Sequence, residues 1–126
     1  NWQELLRDWL NAILKNGPAS QVKWVDEISK LGREKQKQFI AYFIHLLSIS
    51  VYISNNELPH DVAADEIDFA QRLIKLASTP QIQAMVEELD KSIYYIERNA
   101  NPKMLFMALS IKFYHIIKDK LVILVN

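Results

Sequence analysis

The strongest constraint on the fold is an apolar pattern with a spacing of three and four residues along most of the chain. Its clearest stretch is Ile82, Met85, Val86, Leu89, Ile93 and Ile96. This spacing puts side chains on one face of an α-helix, whereas a half-buried strand alternates every second residue. The 126 residues contain two glycines and four prolines, and no alternating run of strand type. We therefore predict an all-α fold.

Turn-forming residues divide the pattern into six predicted helices. The first covers residues 2–15 and ends at Asn16-Gly17-Pro18; the second covers residues 19–31, with Val22, Val25 and Ile28 inward and Gly32 as its stop. The third runs from residue 33 to the turn-rich segment 55–64, which we predict to be the longest loop. The fourth covers residues 65–77. Thr79-Pro80 and Asn101-Pro102 each resemble an N-cap followed by a first-turn proline, and they open the fifth and sixth helices. Asn99 suits the left-handed conformation that closes the fifth helix.

Chain length favours one domain with a substantial core. A chain of this size buries about two thirds of its unfolded surface. The absence of cysteine excludes disulfides and cysteine metal sites and fits a reducing compartment. With no internal repeat or linker, we predict a single bundle of about six helices over residues 1–126. Its predicted core residues are Trp2, Trp9, Phe39, Phe43, Leu46, Leu89, Ile93, Leu105 and Leu109.

The third helix is nearly all apolar after a polar start, REKQKQ, that we expect to be solvated. Residues 39–53 include His45, Ser48 and Ser50, whereas a membrane-crossing helix needs about twenty apolar residues. We interpret this segment as a buried central helix and expect no membrane contact. The chain begins at Asn1 without a charged head or signal-type apolar region, so we expect it to be a piece of a longer protein.

Candidate catalytic groups are few. The densest set surrounds His60 and consists of Glu57, Asp61, Asp65, Glu66 and Asp68. A di-metal helix bundle needs two Glu-x-x-His motifs on continuous helices, but Pro59 interrupts this one and a second is missing. Acidic residues are also favourable at a helix start. We expect His45 and His115 to pack in the core or at an interface, and we predict no catalytic, metal or cofactor-binding residue and no enzyme activity.

A nucleic-acid surface is not indicated. Fifteen basic residues balance fifteen acidic ones, and the densest basic run, Arg33, Lys35 and Lys37, is typical of a solvated helix end. Tryptophans at positions 2, 9 and 24 and the tyrosines at 94 and 95 lack interleaved cations, so we assign them to packing and not to base stacking.

The last helix is apolar on almost every side. A helical projection places Met104, Ala108 and Ile111 on one face and another apolar set opposite, namely Phe106, Leu109, Phe113 and Ile117. Such a helix is either central in its own bundle or covered by a neighbour, and the sequence leaves both explanations open. Aromatic and arginine side chains usually anchor protein contacts. We therefore predict a subunit interface that comprises Tyr94, Tyr95, Arg98, Lys103, Phe106 and Phe113.

Two stretches carry a family resemblance that extends over nearly the whole chain. LGREKQKQFIAYFIHLL at residues 31–47 and IERNANPKMLFMALSIKFYHII at residues 96–117 resemble the C-terminal domains of bacterial DNA polymerase III clamp-loader subunits. The likeness is greatest to the delta-prime subunit in its Bacteroidetes-like form. Ala108 departs from the family pattern, which often has an acidic residue there, and the tail LVILVN is more apolar than expected for a terminus.

The resemblance implies a non-catalytic collar domain in the bacterial cytoplasm. In that family the collar holds the subunit ring together, so its partners here would be the gamma/tau and delta subunits. Nucleotide, DNA and the sliding clamp would be contacted through N-terminal AAA+ modules that this sequence lacks.

Two alternatives stay open. One is the gamma/tau collar, whose parent gene would carry a P-loop lysine and zinc-binding cysteines upstream. The other is an unrelated helical module that binds an apolar ligand or peptide, for which the expected pocket residues are Phe39, Tyr42, Phe113 and Tyr114.

Overall fold

The computed structural model describes residues 1–57 and 59–119 and consists of six α-helices. They are α1 (Trp2–Asn11), continued by a π-helical turn (Ala12–Asn16), α2 (Pro18–Ser29), α3 (Arg33–Ser54), α4 (Ala64–Leu76), α5 (Thr79–Glu97) and α6 (Pro102–Lys118). No strand occurs in these residues, which confirms the all-α bundle of about six helices. Leu58, in the predicted loop, and the tail LVILVN lie outside the described residues.

Local signals place most helix ends where the sequence predicts them. Asn99 adopts a left-handed φ of 64°, and the Asn101 side chain accepts a hydrogen bond from the Met104 amide at 3.1 Å. The cap of α5, however, is Ser78 and not Thr79. Ser78 Oγ accepts from the Gln81 amide at 3.4 Å, while Gln81 Oε1 accepts from the Ser78 amide at 2.6 Å. This reciprocal capping box requires Gln three residues after the cap, and Ser78 satisfies that spacing.

Helix α3 lies at the centre and packs against both α4 and α5. Its fully buried residues include Phe39, Phe43 and Leu46, as predicted. Within the described residues α3 is the one helix long and apolar enough to cross a membrane, so our estimate that it is too short was wrong. The core helix of a soluble protein passes the same test, and α3 contributes six apolar residues to the core cluster, namely Phe39, Ile40, Phe43, Leu46, Leu47 and Ile49.

Aromatic side chains form the middle of the core. The indole rings of Trp9 and Trp24 stack with centroids 4.5 Å apart and an interplanar angle of 4°. Phe106 meets both indoles edge-on, at 6.1 Å from Trp9 and 5.9 Å from Trp24. The Trp9 indole nitrogen donates to Ser110 Oγ at 2.8 Å, which gives this buried donor the partner it needs. The cluster thereby ties α1 and α2 to α6.

Two buried glutamines donate hydrogen bonds to buried carbonyls at the ends of other helices. Gln36 Nε2 donates to the Ile28 carbonyl at 3.1 Å, and Gln81 Nε2 donates to the Ile116 carbonyl at 2.8 Å. The last four carbonyls of a helix have no partner within it, so these bonds stabilise the ends of α2 and α6. Gln36 lies in the segment that we predicted to be solvated, and that prediction is wrong for this residue.

All nine predicted core residues are buried or partly buried in the core, whereas one residue predicted to face inward on α2 is not. Trp9, Phe39, Phe43, Leu46, Leu89 and Leu109 are buried, and Trp2, Ile93 and Leu105 are partly buried against the same cluster. Val22, predicted to face inward on α2, is instead 50% exposed. Trp24, Val25 and Ile28 supply the inward face of that helix. The error arose because a short helix with few apolar residues permits more than one choice of inward face.

Candidate protein-interaction surface

An aromatic and cationic cluster lies on the surface at the end of α5. The rings of Tyr94 and Tyr95 meet edge-on at 5.6 Å, and the side chains are 51% and 48% exposed. The Arg98 guanidinium lies over the Tyr94 ring, with its carbon 3.4 Å from the ring centroid, and also donates to the Tyr94 carbonyl at 3.2 Å. Cation–π contact and this hydrogen bond hold Arg98 in place. The corner therefore presents a pre-ordered group of two tyrosines and one arginine.

The α5–α6 corner is held against the start of α3. Arg33 donates to the Asn99 side chain, and Lys37 Nζ lies 3.6 Å from Glu97 Oε2. The hydrogen bond that Lys37 donates to the Glu34 carboxylate is the main cause of its raised pKa, and Glu97 adds to the shift. Two residues of the basic run therefore contact the corner, although all three were predicted to be a solvated helix end.

Lys103 also lies at this corner. Its ammonium group is 3.4 Å from Asp26 Oδ1, so it joins the first turn of α6 to α2. The side chain is exposed, as is that of Arg98. Of the six residues predicted for the interface, Tyr94, Tyr95, Arg98 and Lys103 are thus accessible to a partner and lie around one corner.

Phe106 and Phe113 are corrections to that prediction. Both are fully buried, and Phe113 packs against Trp9 at 5.3 Å and edge-on against Phe43 at 5.9 Å. They belong to the aromatic core and are not available to a partner while the domain is folded. Helix α6 has two apolar faces, and the sequence pattern does not say which of them faces inward.

The other face of α6 is apolar and exposed. Met104 is 73% exposed and Ile111 is 50% exposed, and Tyr114 is also accessible. Among the residues that the structure describes, five of the nine exposed large hydrophobic residues lie on α6 or in the last turns of α5. Exposed apolar residues gathered on one surface are typical of interaction sites. Helix α6 is thus apolar on almost every side because one face fills the core and the other forms an exposed apolar surface.

Shallow grooves run along both sides of this exposed face. On the α5 side, Tyr95, Leu105 and Ala108 share a groove. On the opposite side, the groove lies between α6 and the π-helical turn with its adjoining residues and is lined chiefly by Ile13, Leu14, Pro18, Ile111 and Tyr114. Sequence reasoning missed the π-helical turn, since residues 2–15 were predicted as one regular helix. The exposed face of α6 is thus a ridge between a mainly apolar groove beside the π-helical turn and a groove beside α5 that also contains Glu88, Lys91, Ser92 and Lys112.

The histidines occupy other places. His45 Nε2 is 3.4 Å from Glu66 Oε2 on α4, and His115 Nδ1 is 2.6 Å from Asp119 Oδ2. Each is half exposed with one carboxylate partner, so neither is a core histidine. Asp65 and Glu66 lie in the first turn of α4, as predicted. Over residues 1–57 and 59–119, no three acidic or histidine side chains group closely enough to hold a metal.

The pocket expected for a ligand-binding module does not form from the four predicted residues. Phe39 and Phe113 are fully buried in the core, whereas Tyr114 lines a surface groove. Tyr42 is partly buried and accepts a hydrogen bond from Gln3 at 3.3 Å. Burial raises the pKa of Tyr42, with smaller contributions from Glu66 and Asp65, although the Gln3 hydrogen bond opposes the shift.

Comparison of the chain with protein families, with curated proteins and with solved structures finds no match. The geometry defines the chain as a helical domain with an exposed apolar and aromatic surface on α5 and α6.

Proposed function

We propose that this chain is a scaffold domain that binds neighbouring subunits, and specifically the collar domain of the delta-prime subunit of a bacterial DNA polymerase III clamp loader. The exposed surface of Tyr94, Tyr95, Arg98 and the outer face of α6 carries the proposal of a binding role. The resemblance of residues 31–47 and 96–117 to clamp-loader collars carries the more specific assignment. The all-helical fold is consistent with both.

The chemistry of the surface fits a protein partner. Tyrosine and arginine are enriched among the residues that dominate binding energy, because they bury a large area and still form hydrogen bonds. Here Arg98 is already held over Tyr94, so a partner would immobilise few additional rotamers. A pre-ordered cluster of this kind favours specific binding.

The body of the domain suits a scaffold. The buried Trp9–Ser110 hydrogen bond ties α1 to α6, which are distant in sequence, and the two glutamine caps join the successive helix pairs α2–α3 and α5–α6. A well-packed core transmits displacement because it does not deform easily. In the proposed role the collar keeps its shape while nucleotide-driven changes occur in the AAA+ modules of the complex.

The proposal is tested by mixing the purified chain with collar domains of the gamma/tau and delta subunits from the same organism. Light scattering after size exclusion would detect the complex, and calorimetry would measure its affinity. Tyr95→Ala is expected to weaken binding about 5- to 150-fold, which corresponds to about 1 to 3 kcal/mol. Tyr52→Ala is the matched control, because Tyr52 is a similarly exposed tyrosine on α3 and should leave affinity unchanged.

Three results would contradict the proposal in different ways. If no complex forms at tens of micromolar, the clamp-loader assignment fails. Equal losses of affinity from Tyr95→Ala and Tyr52→Ala would show that the α5–α6 corner is not part of the interface. Assembly with a delta-prime collar in place of gamma/tau would favour the gamma/tau alternative.

A further inference from the structure

We propose that the outer face of α6 docks an amphipathic helix whose apolar stripe is bordered by acidic residues. This inference rests on the proposed binding of neighbouring subunits and specifies the chemistry of the partner. We define the α6 ridge as Met104, Ala108 and Ile111, all of which are exposed.

The shape of the ridge suits a helix. Its three residues are separated by four and three positions, so they form one row about 10 Å long on the helix surface. A groove lies on each side. The groove toward α5 is lined by Tyr95, Leu105 and Ala108 together with the ion pair of Glu88 and Lys112, and the groove toward the π-helical turn by Pro18, Ile111 and others. Helices pack by placing the side-chain ridge of one into the groove of another. The small side chain of Ala108 leaves room for a close approach at the middle of the row.

The charge around the ridge is positive. From Pro102 to Lys118, α6 carries three lysines and one histidine and no acidic residue. Lys103 and Lys112 already pair with Asp26 and Glu88, so they contribute little net field. Further cations are Lys15, which lines the groove beside the π-helical turn, Arg98 beside Tyr94, and Lys118 in the last turn of α6.

Lys15, Arg98 and Lys118 form no ion pair with any residue that the structure describes. None of the three is neutralised by a direct ion pair in this part of the domain, and Asp119, which follows Lys118, contacts His115 instead. Complementary charge at the edge of an interface speeds association and selects the partner. Acidic residues on both sides of an apolar stripe would meet these cations while the stripe covers Met104 and Ile111.

The test uses two labelled 18-residue helical peptides with the same leucine stripe, one flanked by glutamate and the other by lysine. Fluorescence anisotropy would measure their binding to the whole chain. The glutamate peptide is expected to bind at least about tenfold tighter at low salt, and the difference should shrink at high salt.

Variants of the chain distinguish peptide binding at the α6 ridge from nonspecific hydrophobic binding. Ile111→Ser should weaken the glutamate peptide about tenfold or more, because it removes an exposed apolar contact at the centre of the surface. Leu76→Ser is the control, since Leu76 is a similarly exposed apolar residue on α4, which has no extensive contact with α6. Circular dichroism would confirm that both variants stay folded.

Equal binding of the two peptides, or equal loss in the two variants, would overturn the proposal. A second copy would be the occupant if the chain alone dimerised, Ile111→Ser abolished the dimer and neither peptide bound. The peptide assay contains no clamp-loader subunit. A negative result in it therefore does not affect the measured effect of Tyr95→Ala on subunit binding. Conversely, absence of a complex with the collar domains, together with preference for the glutamate peptide, would reject the clamp-loader assignment alone.

Discussion

Replacing Ser110 with alanine tests the buried hydrogen bond that joins α1 to α6. The Trp9 indole nitrogen donates to Ser110 Oγ at 2.8 Å, and both side chains are fully buried. Ser110 Oγ in turn donates to the Phe106 carbonyl four residues earlier, at 2.8 Å. Alanine fits the same helix position, so the substitution removes the partner of the indole and leaves the ring in place.

The expected cost follows from the unpaired indole N–H. A buried donor left without a partner costs about 1 to 3 kcal/mol, more than the net value of an ordinary hydrogen bond. Unfolding entropy is about 2.1 cal/mol/K per residue, so in a chain of this length 1 kcal/mol shifts the Tm by about 4 °C. Ser110→Ala should therefore lower the Tm by about 4 to 11 °C.

Ser50→Ala is the matched control. Ser50 is also fully buried in a helix and donates to a carbonyl of its own helix, that of Leu47 at 2.6 Å. No described side chain donates to its hydroxyl group. Thermal and urea unfolding, followed by tryptophan fluorescence and circular dichroism, would compare the variants. If Ser110→Ala is no more destabilising than Ser50→Ala, the indole N–H does not depend on Ser110 and the reasoning is refuted.

Two further predictions use the same unfolding measurements. Phe106→Ala should lower the free energy of unfolding by about 3 to 5 kcal/mol because it empties a fully buried site. Tyr95→Ala should change the free energy of unfolding by less than about 1 kcal/mol. A larger loss from Tyr95→Ala than from Phe106→Ala would contradict the assignment of Phe106 to the core. Because burial raises the pKa of Tyr42 above 10.0, the unfolded chain loses this proton first, so stability should fall as pH rises from about 10 toward the folded pKa. Tyr42→Phe should make that fall shallower in unfolding curves between about pH 9 and pH 11, and identical pH dependence would contradict the assigned cause.

Local chemistry explains why the helices and many of their ends could be predicted. The left-handed conformation of Asn99 and the cap made by Asn101 depend on residues within three positions of each other. Three-residue and four-residue apolar spacing likewise identifies a helix and its apolar residues without reference to distant parts of the chain. Even the mistaken cap of α5 was an error of one position, corrected by the Ser78–Gln81 pair.

The candidate surface was predicted only in part. Residue type and position in the sequence were enough to predict four of its exposed residues, namely Tyr94, Tyr95, Arg98 and Lys103. Phe106 and Phe113 were assigned to the same surface, but they lie in the core. Periodicity identifies the inward face of a helix when one side is polar. It cannot do so in α6, where both faces are apolar.

The sequence by itself thus determined an all-helical chain, the approximate helix boundaries and the residues available for a core. Tertiary structure alone decided which face of α6 enters that core, that Gln36 and Gln81 are buried, and that Trp9 bonds to Ser110. Trp9 and Ser110 are 101 positions apart, and Gln81 lies 35 positions from the carbonyl it binds. Such contacts depend on how whole helices pack, because a buried polar group must find its partner wherever the packing brings one within hydrogen-bond distance.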